Sequence, residues 1–211
     1  CDQKTNIGLY EFVEGRKLRN SELTQQHIME AASFIKGLND RQDRDQTLPT
    51  ASEGCFSIER HFSIIDERLN RLRHLPVESE LDRKVISFVK EIENAWKSIK
   101  DEISSGDGSI SKELNAKDRC ISPSDFGFHN ALLKNSGEVC FIDFEYAGWD
   151  DPAKMVGDFF LQPAVPVSLK YLDIFISEAL DYSKNKAELA KRARLLFPVF
   201  KIKWCCLMLN E

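Results

Sequence analysis

Three side chains with oxygen ligands stand at a spacing that could support metal-assisted chemistry. Asp125 precedes Asn130 by five residues, and Asp143 follows Asn130 by thirteen, at the end of the apolar run 139–142. Carboxylate and amide oxygens in such positions can converge on one hard cation such as Mg²⁺. Asp125 can then accept a proton from an attacking hydroxyl group, as phosphoryl transfer requires. The spacing therefore predicts a magnesium site with an adjacent base.

The Asp125–Asn130 spacing alone is not specific. With 16 Asp and 10 Asn in the sequence, about 0.8 pairs at this spacing are expected by chance. The stronger signal is its context. Strands are predicted at 119–122, 131–134 and 138–144, and the last two are joined by the turn 135–137, which contains Gly137. The candidate residues are thus expected on a loop and a β-hairpin.

Helices must position this small β-region, because most of the remaining sequence has helical periodicity. The predicted helices cover about 20–38, 58–75, 81–103, 152–161, 167–181 and 185–210, and a first strand is predicted at 7–13. The second and third helices are separated by Pro76 and offer barely three heptads each, which favours a helical hairpin over a coiled coil. The sequence therefore predicts an α+β, mainly helical fold.

Residues 121–160 resemble the catalytic core of the aminoglycoside phosphotransferase and choline kinase family, the small-molecule relatives of protein kinases. That family has a loop H-x-D-x-x-x-x-N, then a hairpin and a strand ending I-D-F/W/Y-E. Asp125, Asn130 and Ile142-Asp143-Phe144-Glu145 match this pattern. Residues 9–15 resemble the hinge between the two lobes of a kinase. The resemblance implies an ATP-dependent phosphotransferase that acts on a hydroxyl group of a small molecule, with ATP and Mg²⁺ as cofactors.

The resemblance also implies a role for individual residues. Asp125 would be the catalytic base, and Asn130 and Asp143 would be the magnesium ligands. The residues implied to bind adenine are Glu11, Phe12 and Val13, through backbone atoms, and Ile142, for which plain strand packing is the alternative.

The resemblance further implies a domain organisation. Residues 1–15 would form the interlobe hinge strand, and 16–211 the helical C-terminal, catalytic lobe of a protein-kinase-like fold. The sequence has no G-x-G-x-x-G loop and no lysine in a Val-Ala-Ile-Lys-like strand, so the N-terminal ATP lobe is expected to be absent from this chain. The chain begins with Cys1 and stops directly after an apolar run. We therefore expect a fragment of a longer protein, inactive by itself.

Two positions depart from the family pattern. Pro123 replaces the loop histidine, and Met155 replaces an aspartate that supports the catalytic loop; Asp158, on the same helical face, is the expected substitute. All three active-site oxygen ligands are retained, which favours an active enzyme. The alternatives are a non-catalytic kinase-like scaffold or binding protein and, suggested by the periodic hairpin, an unrelated helical interaction module.

The charge distribution bears on the partners of the protein. A formal net charge of −5 argues against nucleic-acid binding. Segment 138–158 holds six acidic residues and one base, Lys154, which favours a cationic acceptor such as an aminoglycoside or amino alcohol. Helix capping by Asp150 and Asp151 is the alternative explanation of that excess, and neutral sugars are the alternative acceptors. The sequence does not determine the oligomeric state.

Several other residue types suggest only ordinary roles. No apolar stretch is long enough for a membrane span. The six cysteines form no C-x-x-C pair and the sequence shows no signal peptide, which favours a reduced, cytoplasmic location.

His129 is expected to brace the loop rather than bind metal. The remaining histidines are expected on helix surfaces, and the aromatic residues that could cage a cation are more typical of a core; these are Tyr146, Trp149, Phe159 and Phe160.

Overall fold

Amphipathic helices make up most of this computed structural model, which describes residues 11–40, 47–106 and 108–209. The helices of the described chain are α1 (Gln25–Asn39), α2 (Ile58–Arg73), α3 (Glu80–Ser104), α4 (Pro152–Leu161), α5 (Leu172–Ala179) and α6 (Lys186–Met208). They confirm the mainly helical prediction.

Side-chain caps set where several helices begin. Thr24, Ser57, Ser79 and Asp151 each accept a hydrogen bond from a backbone N–H in the first turn of α1, α2, α3 and α4, respectively, which satisfies one of the groups that a helix start leaves unpaired. The predicted start of the first helix near residue 20 was too early, because a separate 3₁₀ turn lies there before the Thr24 cap.

Within the described ranges, two small antiparallel sheets lie between the helices. β1 (Arg16–Lys17), β3 (Ala131–Leu133) and β4 (Val139–Phe141) form one sheet in the order β1-β3-β4, and β2 (Cys120–Ser122) pairs with β5 (Gly148–Asp150). The sequence predicted β2 and the β3–β4 hairpin but not β1 or β5. Of the predicted first strand, residues 7–10 lie outside the described chain, and 11–13 have no regular secondary structure.

The core is built around α4, whose first nine residues are all buried. The α4 helix packs closely on α6: a Cβ atom added at Gly157 would lie 2.7 Å from the ring of Phe200, so only glycine permits this approach. Phe159 stacks on Phe126 and Phe175, and Phe160 is also buried. Phe159 and Phe160 therefore belong to the core and not to a cage.

His61 corrects the prediction that the helical histidines are surface residues. Its ring is 3% exposed, with Nδ1 3.1 Å from the thiol of Cys55 and Nε2 3.1 Å from a carboxylate oxygen of Asp151. The order Cys–His–Asp is that of a nucleophilic triad. Burial and the Asp151 carboxylate, however, raise the pKa of the Cys55 thiol to about 12, so this chain of hydrogen bonds is structural.

The buried carboxylate of Asp151 also joins α6 to this network. Burial would raise the pKa of Asp151, but the hydrogen bond from His61 and the charge of Arg192 outweigh it and lower the pKa to about 2.

Over the described ranges, no helix combines the length and the apolar character that crossing a membrane requires.

Candidate active site

Asp125 lies on the loop between β2 and β3, and two neighbours hold its carboxylate. His129 Nε2 is 3.0 Å from one carboxylate oxygen, and Asn130 Nδ2 donates to the other at 3.0 Å. The 3₁₀ turn Phe128–Asn130 brings both side chains back toward Asp125. The hydrogen bond from His129, opposed by partial burial, lowers the pKa of Asp125. The side chain remains 43% exposed, so an ionised carboxylate faces solvent at a fixed position.

His129 braces the loop as its sequence position predicted. Its Nδ1 is buried and has no hydrogen-bond partner within the described chain, which favours the tautomer that donates to Asp125 from Nε2. A Cβ atom at Gly127 would lie 2.7 Å from that Nδ1. Glycine is therefore required at position 127 for the imidazole to reach Asp125.

Asp143 lies next to this pair at the end of the hairpin. The backbone N–H of Ile142 donates to the carbonyl oxygen of Asn130 at 2.9 Å, one step beyond the β3–β4 register. Asp143 itself is exposed, has a φ of +67°, and makes no side-chain hydrogen bond to any other described residue. A left-handed backbone is uncommon outside glycine and tends to occur at functional sites.

Tyr146 is half exposed and lines the same cleft as Asp125. A hydrogen bond to Glu145 is the main cause that raises the pKa of the Tyr146 hydroxyl, and the charges of Asp143 and Asp125 raise it further.

Of the four residues expected to bind adenine, Glu11, Phe12 and Val13 lie apart from Asp125, and Ile142 lies near it. Phe12 is 88% exposed, Glu11 is exposed and Val13 is half-buried. The chain passes from this segment into β1 at the turn end of the sheet, because Arg16 pairs with Leu133. Ile142 is half-buried at the opposite end, near Asn130. The structure thus groups Asp125, Asn130 and Asp143 and places the hinge residues apart from them.

Lys154, and not Asp158, contacts and supports the loop that carries Asp125. This corrects the expectation that Asp158 substitutes for the family aspartate that Met155 replaces. Met155 is fully buried in the core. Lys154, 1% exposed, donates to Ser124 Oγ at 3.1 Å and lies 2.9 Å from Asp150 and 3.0 Å from Asp158. Asp158 therefore reaches the loop only through the ammonium group between them.

Buried lysines usually have a lowered pKa, but Lys154 does not. Burial would lower it, whereas the two carboxylates on either side outweigh burial and raise it, so the group is charged. Part of this cluster is visible in the sequence: Lys154 and Asp158 are four residues apart, a spacing that places them on one face of α4, and Asp150 lies at the end of β5 just before that helix.

A small cleft of about 140 Å³ opens beside Asp125. Its walls come from the turn before α2, the loop between β2 and β3, and the last turns of α6. The lining residues are Ser52, Glu53, Ser124, Asp125, Tyr146, Asp158, Lys203, Trp204 and Leu207. Lys203 Nζ lies 3.3 Å from Glu53 and 3.3 Å from Asp158. Except for Asp125, Tyr146 and Asp158, these residues have no recognisable signal in the sequence, because their roles depend on tertiary contacts between distant segments.

Comparisons with known proteins match the fold and not the sequence. No protein-family model and no curated protein sequence matches the chain. Among solved structures, the chain is similar to an ethanolamine kinase of Plasmodium vivax, with a TM-score of 0.58, 15% identity, and 95% of this chain and 57% of that one covered.

Two further structures show the same fold. A choline kinase from Cryptosporidium parvum Iowa II matches with a TM-score of 0.57 and 14% identity, over 94% of this chain and 63% of that one. A spectinomycin phosphotransferase in complex with ADP and spectinomycin matches with a TM-score of 0.51 and 12% identity, over 93% and 70%. The chain therefore spans less than two thirds of the length of the first two.

These matches define the class of fold. The chain has a protein-kinase-like fold and corresponds to the helical C-terminal lobe of small-molecule kinases. The resemblance found in the sequence is thus confirmed at the level of the fold, and the alternative of an unrelated helical module is wrong.

Proposed function

We propose that this chain is the catalytic lobe of an ATP-dependent phosphotransferase that transfers the γ-phosphate to a hydroxyl group of a small molecule. The observation that carries the proposal is the carboxylate of Asp125. It is ionised, fixed by hydrogen bonds on both oxygens, and exposed at the mouth of a cleft. A carboxylate so placed can align the acceptor hydroxyl and take its proton.

Asn130 and Asp143 are the proposed magnesium ligands. The side-chain amide nitrogen of Asn130 donates hydrogen bonds to Asp125. The side-chain carbonyl oxygen of Asn130 is therefore available to bind a cation. The exposed carboxylate of Asp143 supplies the second oxygen ligand, and such a set suits Mg²⁺. When bound with ATP, the ion would neutralise charge on the phosphates. Ile142, next to Asp143, and the backbone of Glu11, Phe12 and Val13 are proposed to contact adenine.

The remaining phosphate-binding groups are proposed to come from outside residues 1–211. A Gly-rich loop over the phosphates and a lysine that pairs with them are needed for efficient transfer, and this sequence has neither in the required context. We therefore propose residues 1–15 as the hinge and 16–211 as the C-terminal lobe of the intact protein.

A phosphotransfer assay with the intact protein tests this proposal. With Mg²⁺ and γ-labelled ATP, label should pass to acceptor hydroxyls in a screen of amino alcohols, polyols and sugars, and chelation of Mg²⁺ should stop it. Nucleotide binding without transfer to any acceptor would instead indicate a non-catalytic scaffold.

A further inference from the structure

We propose that the acceptor carries no positive charge at the reacting end, because Lys203 already occupies the cation position of the cleft. This inference rests on the proposed phosphotransferase function and assigns Lys203 as a specificity-determining residue. It reverses the expectation drawn from the acidic composition of segment 138–158.

The position of the Lys203 ammonium group is the first argument. It lies 3.3 Å from a carboxylate oxygen of Glu53 and 3.3 Å from one of Asp158, in the wall of the cleft that contains Asp125. Its side chain is 9% exposed, so it is built into the site. An acceptor ammonium placed at this wall of the cleft would meet the charge of Lys203 and two carboxylates that are already paired with it.

The carboxylates around the cleft are already neutralised. Glu53 also pairs with Arg68, and Asp158 also pairs with Lys154 and accepts a hydrogen bond from Trp204. Three of the six acidic residues in segment 138–158 are buried with cationic partners, and these are Asp150, Asp151 and Asp158. They cannot attract a cation from solvent.

The ion-pair network behind the cleft is balanced. It joins three carboxylates, on Glu53, Asp150 and Asp158, to three cations, on Arg68, Lys154 and Lys203. Of the carboxylates outside this network, Asp125 is proposed to bind the reacting hydroxyl and Asp143 the magnesium ion.

A matched pair of alcohols isolates the effect of charge. Choline and 3,3-dimethylbutan-1-ol have nearly the same shape and differ by one positive charge, and 2-aminopropane-1,3-diol and glycerol form a second pair. For each pair, kcat/KM should be measured with the intact protein, Mg²⁺ and ATP. Binding of each alcohol should be measured separately by ligand-observed NMR, which does not require turnover.

The wild-type protein should prefer the neutral member of each pair. Lys203→Met should shift the ratio toward the cationic member by at least about 10-fold, because Glu53 and Asp158 then each lose one of their two cationic partners and the cleft wall loses one positive charge. Lys203→Arg keeps the charge and should keep the wild-type preference. The double variant Lys203→Met/Glu53→Gln removes one charge of each sign and should restore the preference for the neutral alcohol.

The possible failures are distinguishable. If no alcohol is phosphorylated, the proposed function is wrong, and the binding ratio then tests the inference by itself. A wild-type preference for the cationic alcohols, or a ratio that Lys203→Met leaves unchanged in a variant shown by circular dichroism to be folded, would overturn the inference. If Lys203→Met is unfolded, Lys203→Gln provides the same test.

Discussion

The ammonium group of Lys154 lies 3.1 Å from the hydroxyl oxygen of Ser124, the residue immediately before Asp125. Ser124 has a φ of +70° and donates its own hydroxyl proton to the carbonyl oxygen of Ser52. The backbone N–H of Ser124 donates a hydrogen bond to the hydroxyl oxygen of Ser122 at 3.0 Å. A buried lysine on α4 and a distant turn thus hold an otherwise unfavourable backbone conformation in place, which fixes the direction of Asp125.

Replacing Lys154 by methionine should destabilise the protein strongly. The substitution leaves Asp150 and Asp158 buried without their shared cation, and breaking a buried ion pair in this way costs about 3–5 kcal/mol. The free energy of unfolding in urea measures the effect. Lys191→Met is the matched control, because its ion pair with Glu188 is exposed, and it should change stability by less than about 0.5 kcal/mol. Equal effects of the two substitutions would contradict the role of Lys154.

Substitutions of Ser124 should separate its hydrogen bonds from its backbone conformation. Ser124→Ala loses both hydroxyl bonds and keeps the unfavourable φ, whereas Ser124→Gly loses the bonds but relieves the φ. In the intact protein, we expect kcat to fall about 10-fold or more in Ser124→Ala with little change in the KM for ATP, and Ser124→Gly to be more stable than Ser124→Ala. A change confined to the KM for ATP would exclude a role in positioning Asp125.

The hydrogen bond from His129 should be visible in the titration of Asp125. It lowers the pKa of Asp125 in the folded protein, so its stabilisation is present above the unfolded-state value of about 3.9 and is lost as the pH falls through the folded value. His129→Leu should therefore raise the pKa of Asp125, measured by carbon NMR of the carboxyl group, and its loss of stability should be larger at pH 7 than at low pH. The exposed His74 provides the control His74→Leu. No movement of the Asp125 titration would show that His129 does not donate to it.

The buried Cys55 should be unreactive in the folded protein. With a pKa of about 12, only about one thiol in 10⁵ is ionised at pH 7, and the thiolate is the nucleophile. Alkylation at pH 7 followed by peptide mass spectrometry should label the partly exposed Cys140 well before Cys55, and denaturation should abolish the difference. Rapid native labelling of Cys55 would show that its hydrogen-bond chain with His61 is an activated site.

The fold and the central aspartates could be predicted because their signals are local. Steps of three and four between apolar residues indicate helices directly, and the turn at Gly137 indicates the β3–β4 hairpin. The position of Asp143 at a strand end and its distance from Asn130 are properties of one short segment, and the structure brings these residues together.

The supporting charges could not be predicted because they depend on distant contacts. Lys203 meets Glu53 across 150 positions of sequence, and His61 meets Asp151 across 90. Composition suggested that Asp150 and Asp158 face a ligand, but pairing with Lys154 buries them instead. The two-residue strand β1 was missed because its pairing with β3, and not its own sequence pattern, defines it.

Comparing Asp125→Asn with Asp143→Asn in the intact protein tests the central claim most directly. The base acts only on the acceptor hydroxyl, so Asp125→Asn should lower kcat by at least about 10²-fold and leave nucleotide affinity nearly unchanged. Asp143→Asn should weaken Mg²⁺-nucleotide binding itself, and Asp173→Asn, on an exposed helical surface, should change neither. Identical behaviour of Asp125→Asn and Asp143→Asn, or normal turnover by Asp125→Asn, would contradict the roles proposed here.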